Sequence, residues 1–178
     1  KDQADLAKKM AVELEGSTPY IETILGYTFP LGPVIFTQAE AEAIVREIQP
    51  EVEKVAGRTF KTPPLVSVSS RFVTANSLAD DLYPQLRNLI PHQPEASTRQ
   101  AALQQSLGMV QSLLGKYGFH DKTLHLLPRN MSLMMEKIGI NASFTPNLVR
   151  VLVAHEMTHA MQDQYLNLKD TLLAMTDQ

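Results

Sequence analysis

Apolar residues recur at helical spacing through most of this chain and alternate at strand spacing in two short stretches. Leu6, Met10 and Leu14 stand four apart and predict an opening helix. Residues 26–33 carry Gly26, Pro30, Gly32 and Pro33 and predict a turn-rich loop. Thr37, followed three residues later by Glu40, predicts a capping box. It opens a helix whose apolar positions include Ile44, Val45, Ile48, Val52 and Val55. Pro50 falls inside that helix and should kink or split it, because proline lacks the N–H and crowds the preceding turn. Beyond Pro63 and Pro64, residues 65–69 alternate with β-branched side chains and predict a strand. Helices are expected over about 75–90 and about 97–117, separated by a loop between Pro91 and Pro94, with a second strand over 123–127. A short helix over 131–138 precedes a loop at 139–144. Thr145 as N-cap and Pro146 at the first helical position then open the last helix. Its residues Leu148, Val149, Val151, Leu152, Val153 and Ala154 are apolar almost all round, which predicts burial.

That helix carries the chemistry. His155-Glu156-Met157-Thr158-His159 fits H-E-x-x-H. Residues four apart share a helix face, so His155 and His159 can aim their imidazoles at one metal ion. Glu156 follows the first ligand and is placed to take a proton from a water whose pKa zinc lowers to about 7. A solvated histidine pair on an amphipathic helix is the bland alternative. The apolar run before the motif argues against it, since buried histidine and glutamate need a metal or hydrogen-bond partners.

The segment from His155 to Gln164, His-Glu-Met-Thr-His-Ala-Met-Gln-Asp-Gln, and the following Tyr165-Leu166-Asn167-Leu168 resemble a bacterial group of zincin-like metallopeptidase domains. That group carries H-E-L-T-H-A-L-Q-D-Q and then a short apolar tail. A weaker echo runs from Lys116 to Leu127, similar to the strand that precedes the group's active helix. The first hundred or so residues match nothing in it. The resemblance implies zinc as cofactor, His155 and His159 as ligands, Glu156 as catalytic base, and a peptide or protein substrate. For Gln162 and Asp163 it implies no more than support behind the ligands. The fold it implies is α+β and mainly helical, a zincin-like single domain over 1–178 with a small sheet beside a buried active-site helix.

The resemblance also implies a third ligand, a glutamate on a later helix, and the chain has no glutamate after Glu156. The metzincin pattern is excluded, because Gln162 stands where that pattern needs glycine and Tyr165 where it needs histidine. Asp163 lies a further turn along, about 6 Å of rise from His159, and cannot comfortably share the metal. Asp170 and Asp177 remain open. The chain starts without methionine inside a helical pattern and stops in the apolar run Leu172-Leu173-Ala174-Met175. The expectation is a piece of a longer protein whose third ligand lies in a missing C-terminal segment. A zincin-like binding or structural module without catalysis is the alternative function, and an ordinary helical domain with a chance motif is a third.

Composition adds limits. The chain has 178 residues, 44% of them hydrophobic, enough for one real core. A net charge of -3 and dispersed Lys and Arg leave no footprint for nucleic acid. No apolar stretch approaches the ~18 residues of a membrane span. The absence of cysteine excludes disulfides and thiolate chemistry, and is compatible with export. His120 and His125 flank the second strand. They are expected at the surface, and that strand, if it were a sheet edge, could bind an extended peptide by strand addition. His92 is expected to be solvated. Met131, Met134, Met135, Met157 and Met161 read as core filler. Ser67, Ser69 and Ser70 sit in no G-x-S-x-G context and give a serine hydrolase no support.

Overall fold

In a computed structural model, residues 20–141 and 145–168 are described. The expected opening helix, the apolar C-terminal run, Asp170 and Asp177 lie outside them. The architecture is α+β and mainly helical, as the periodicity predicts. A hairpin of β1 (Tyr20–Ile24) and β2 (Tyr27–Leu31) comes first, followed by α1 (Gln38–Ala56) and β3 (Leu65–Val68). Two helices, α2 (Arg71–Leu89) and α3 (Glu95–Val110), lead to β4 (Gly115–Tyr117) and β5 (Thr123–Leu126). The helices α4 (Pro128–Ile138) and α5 (Thr145–Leu166) complete the described fold.

The second sheet has the order β3-β5-β4, with β3 parallel and β4 antiparallel to β5. Its two faces differ in chemistry because strand side chains alternate. Val66, Val68, Tyr117, Leu124 and Leu126 face an apolar core shared with α1 and α5, where Val45, Met131, Val149, Val153 and Met157 are buried. On the other face Ser67, Lys116 and His125 stand level with one another. There Lys116 Nζ reaches Ser77 and Asp81 of α2. A smaller cluster, including Phe29, Ala75, Leu107 and Leu127, seals the hairpin against α2 and α3. Gln38 lies along the outer edge of β3: its Nε2 donates to Val66 O and its Oε1 accepts from Val68 N.

Several expectations change. Residues 26–33 are not a loop: β2 occupies most of them, paired with β1 across a two-residue turn. Leu25 and Gly26 both have positive φ, 48° and 87°, the backbone of the tight turn that suits twisted antiparallel strands. Pro30 is tolerated because β2 is an edge strand. Helix α1 runs through Pro50 without a break, and α2 likewise holds Pro84. Helix α3 stops at Val110, well short of residue 117, because Asn130 Nδ2 takes the carbonyls of Val110 and Leu113. The last helix begins at Thr145, one residue before the expected start. It is only half buried, since Val149 and Val153 are enclosed while Val151 is exposed. The strand over 123–127 is the middle of its sheet, so peptide addition to it is ruled out by β3 and β4 on its two sides.

Candidate metal and catalytic site

Helix α5 is held from two sides. Its apolar face, Val149, Val153, Met157, Ala160 and Met161, enters the core beside α1. At its C-terminal end the Gln164 amide bonds the backbone of residues 61 and 62, and Tyr165 Oη donates to Thr59 O. These anchors fix the rotation of the helix. They bring His155 to the exposed surface and leave His159 half-exposed beside it.

The two histidines converge. Their Nε2 atoms are 3.1 Å apart, and their rings meet edge to face at 4.7 Å between centroids. Two imidazole nitrogens at zinc distance on a tetrahedral ion would be about 3.3 Å apart, so this pair is nearly spaced for a shared metal without rearrangement. Glu156 takes another direction. It is 6% exposed, and its Oε2 accepts from the backbone N–H of Tyr117 on β4 at 2.7 Å. One face of α5 therefore offers a nitrogen pair to solvent, while the adjoining face ties its glutamate to the sheet.

Among the described residues no third histidine, aspartate or glutamate joins the pair in a group able to hold a metal. Asp163 is buried seven residues beyond Glu156, with Oδ2 accepting from Tyr117 Oη at 3.1 Å and from Lys122 Nζ at 2.6 Å. Tyr117 thus spans two turns of α5, bonded at its backbone to Glu156 and at its phenol to Asp163. Burial, and then the charge of Asp163, push the Tyr117 phenol far above its ordinary range, so it remains a donor. Gln162 is exposed, so of the two only Asp163 reaches the structure behind the motif.

Among the remaining candidates one histidine departs from expectation. His120 and His92 are exposed, whereas His125 is only 4% exposed. Central position in the sheet, under the cover of α2, is the cause; alternation with Leu124 and Leu126 only places His125 on the opposite face and does not by itself reveal its burial. His125 Nε2 meets Asp121 Oδ2 at 2.8 Å and its Nδ1 meets Ser69 Oγ at 2.9 Å. Burial raises the Asp121 carboxyl, but the hydrogen bond and field of His125, with bonds from Ser77 and Thr123, hold it at about 2. Gly118 makes room for this cluster: an added Cβ would stand 2.1 Å from Asp121 Oδ1 and 2.6 Å from Ser77 Oγ. The order Asp–His–Ser is that of a nucleophilic relay, yet Ser69 Oγ also bonds Ser67 Oγ. The cluster continues through Ser77 to Lys116 and Asp81. We read it as the polar filling between sheet and α2. The methionines Met131, Met135, Met157 and Met161 are core, as expected.

No family model matches the chain, and no curated protein does. Among solved structures, a protein from Chloroflexus aurantiacus provisionally named a hydrolase with a novel fold superposes with a TM-score of 0.62 at 19% identity. The match covers 84% of this chain and 52% of that one, so the chain spans about half the length of this neighbour and shares its fold.

Proposed function

We propose that α5 is the metal-holding helix of a zinc-dependent peptidase. The observation that carries this reading is the His155–His159 pair, whose Nε2 atoms stand 3.1 Å apart at the protein surface. The hydrolase assignment of the structural neighbour is consistent with it. His155 and His159 would hold the ion, with a third ligand from outside the described residues. When bound, zinc supplies an acidified water and a polarised carbonyl. The chain's own part in the chemistry falls to Glu156. With Oε2 fixed by Tyr117 N–H, its Oε1 would accept the proton of the attacking water and return it to the leaving amine. Fixing one oxygen on a backbone donor orients the other without adding a mobile group to the site.

The second reading, a zincin-like module that binds without catalysis, is favoured by the lack of a third ligand among the described residues. One experiment separates the two. Zinc content per chain is measured together with turnover of an unbiased peptide mixture, for the protein and for His155→Ala and His159→Ala. Bound zinc with turnover, both lost in each variant, supports the peptidase. Zinc without turnover supports the binding module, and no zinc at all removes both.

A further inference from the structure

Helices α1 and α5 share the core, yet their outer faces leave a groove of about 430 Å³ between them. Ile48, Val52 and Val55 line it from α1, and Ala154, Thr158 and Met161 from α5. Ile48 and Met161 are buried beneath it, while Val55 on the rim is 89% exposed. Thr158 spends its hydroxyl on Ala154 O, one turn back in its own helix. The polar members of the lining, Glu51 and Gln162, are exposed. Such a surface rewards an apolar occupant.

The path of the chain brings an occupant to one end of this groove. Arg150 pairs with Glu47, and further along Gln164 bonds residues 61 and 62, so α1 and α5 run in the same direction and end together. Helix α5 stops at Leu166. Asn167 then takes a left-handed φ of 48°, its N–H bonds Asp163 O at 3.0 Å, and Leu168 is helical again. A left-handed residue at a helix end lets the chain leave the axis and turn back. Beyond it Leu168, Leu172 and Met175 fall at i, i+4 and i+7, the spacing of Ile48, Val52 and Val55 on α1. The levels also agree. Gln162 and Thr158 lie four and eight residues before the end of α5, about 6 and 12 Å back along its axis. A helix returning from Leu168 would carry Leu172 and Met175 about 6 and 10 Å the same way.

We propose that residues 168–178 fold back as a short helix and seat Leu172 and Met175 in the groove between α1 and α5. At 100° per residue, Asp170 and Asp177 fall opposite the stripe of Leu168, Leu172 and Met175, so this seating turns both to solvent. The seated segment borders the histidine pair, because Thr158 stands between His155 and His159. One consequence rests on the zinc reading: neither aspartate supplies the third ligand. The docking itself does not depend on that reading.

Substitutions in the full chain test the seating. Glutamine suits an exposed helix position better than valine, so with an open rim Val55→Gln would raise the melting temperature or leave it unchanged. Under the docked segment it should lower it by about 4 °C or more, and Leu172→Gln by a similar amount. The double variant should lose clearly less than the sum, because each change removes a partner of the other. Position is read with a short bis-maleimide linker, in a chain that has no cysteine of its own. Thr158→Cys with Met175→Cys should link within one chain, whereas Gln104→Cys, exposed on α3, with Met175→Cys should not. His155→Ala should leave the link in place, which separates this result from the zinc reading. A stronger link from Thr158→Cys to Met10→Cys assigns the groove to the opening segment, and a link between chains assigns it to a second copy. Either result overturns the proposal, and so does a Val55→Gln protein as stable as its parent.

Discussion

Tyr117 shows how much of the candidate site is decided away from the motif. Its backbone N–H orients Glu156 and its phenol reaches Asp163, so one residue of a three-residue strand fixes two carboxylates on α5. The spacing of His155, Glu156 and His159 was legible because helix geometry is local. Tyr117 was not, because its contacts join residues 39 and 46 positions apart. Glu156→Gln retains an oxygen for Tyr117 N–H and should keep both fold and zinc. Peptide turnover in a zinc-loaded, active sample should fall by at least ~10²-fold, the scale of lost acid–base catalysis. Equal rates for the two proteins would remove Glu156 as the base. Asp121 makes a prediction about acid. Its folded pKa of about 2 lies below its ordinary 3.8, so its stabilising contribution is complete above about 4 and is lost as pH falls toward 2. Because its side chain is 36% exposed, solvent screening limits that contribution to on the order of 1 kcal/mol. Urea titrations at pH 5 and pH 2.5 should show Asp121→Asn less stable than the parent at the first, with the difference clearly smaller at the second.

Helices with local start signals were predicted well and elements ended by distant partners were not. Thr37 and Glu40 form the expected capping box in full, each side chain bonded to the other's backbone. Thr37→Ala should cost ~1 kcal/mol, read as a lower denaturant midpoint with an unchanged slope. The end of α3 carries no comparable local signal. Asn130, 17 to 20 residues further on, takes the carbonyls of its last residue, Val110, and of Leu113 beyond it, and β4 follows at Gly115. Reading 97–117 as one helix hid the strand that holds Glu156. The β1–β2 hairpin was hidden by Pro30 and Gly32, residues that argue for a loop until the pairing partner is known.

At the scale of the molecule, α1 and α5 pack together on one side of the sheet, joined at their exposed rim by Arg150 and both oxygens of Glu47. If His155 and His159 hold zinc as proposed, the ion favours the folded chain, and a hundredfold excess over Kd should add ~2.7 kcal/mol of stability, read as a higher melting temperature. The double variant His155→Ala/His159→Ala should melt at the same temperature with and without the metal. The mixed α+β class was readable from the chain, while the layer order was not, because which strand takes the centre depends on pairings far apart in sequence. The amide of Gln38 on the β3 edge has a further consequence, one of colloidal behaviour. By occupying Val66 O and Val68 N it denies a second copy of the chain the row of backbone groups on which strands add to one another. Gln38→Ala would uncover that row next to the exposed side chain of Leu65. Light scattering of the variant should then show concentration-dependent self-association that the parent protein lacks.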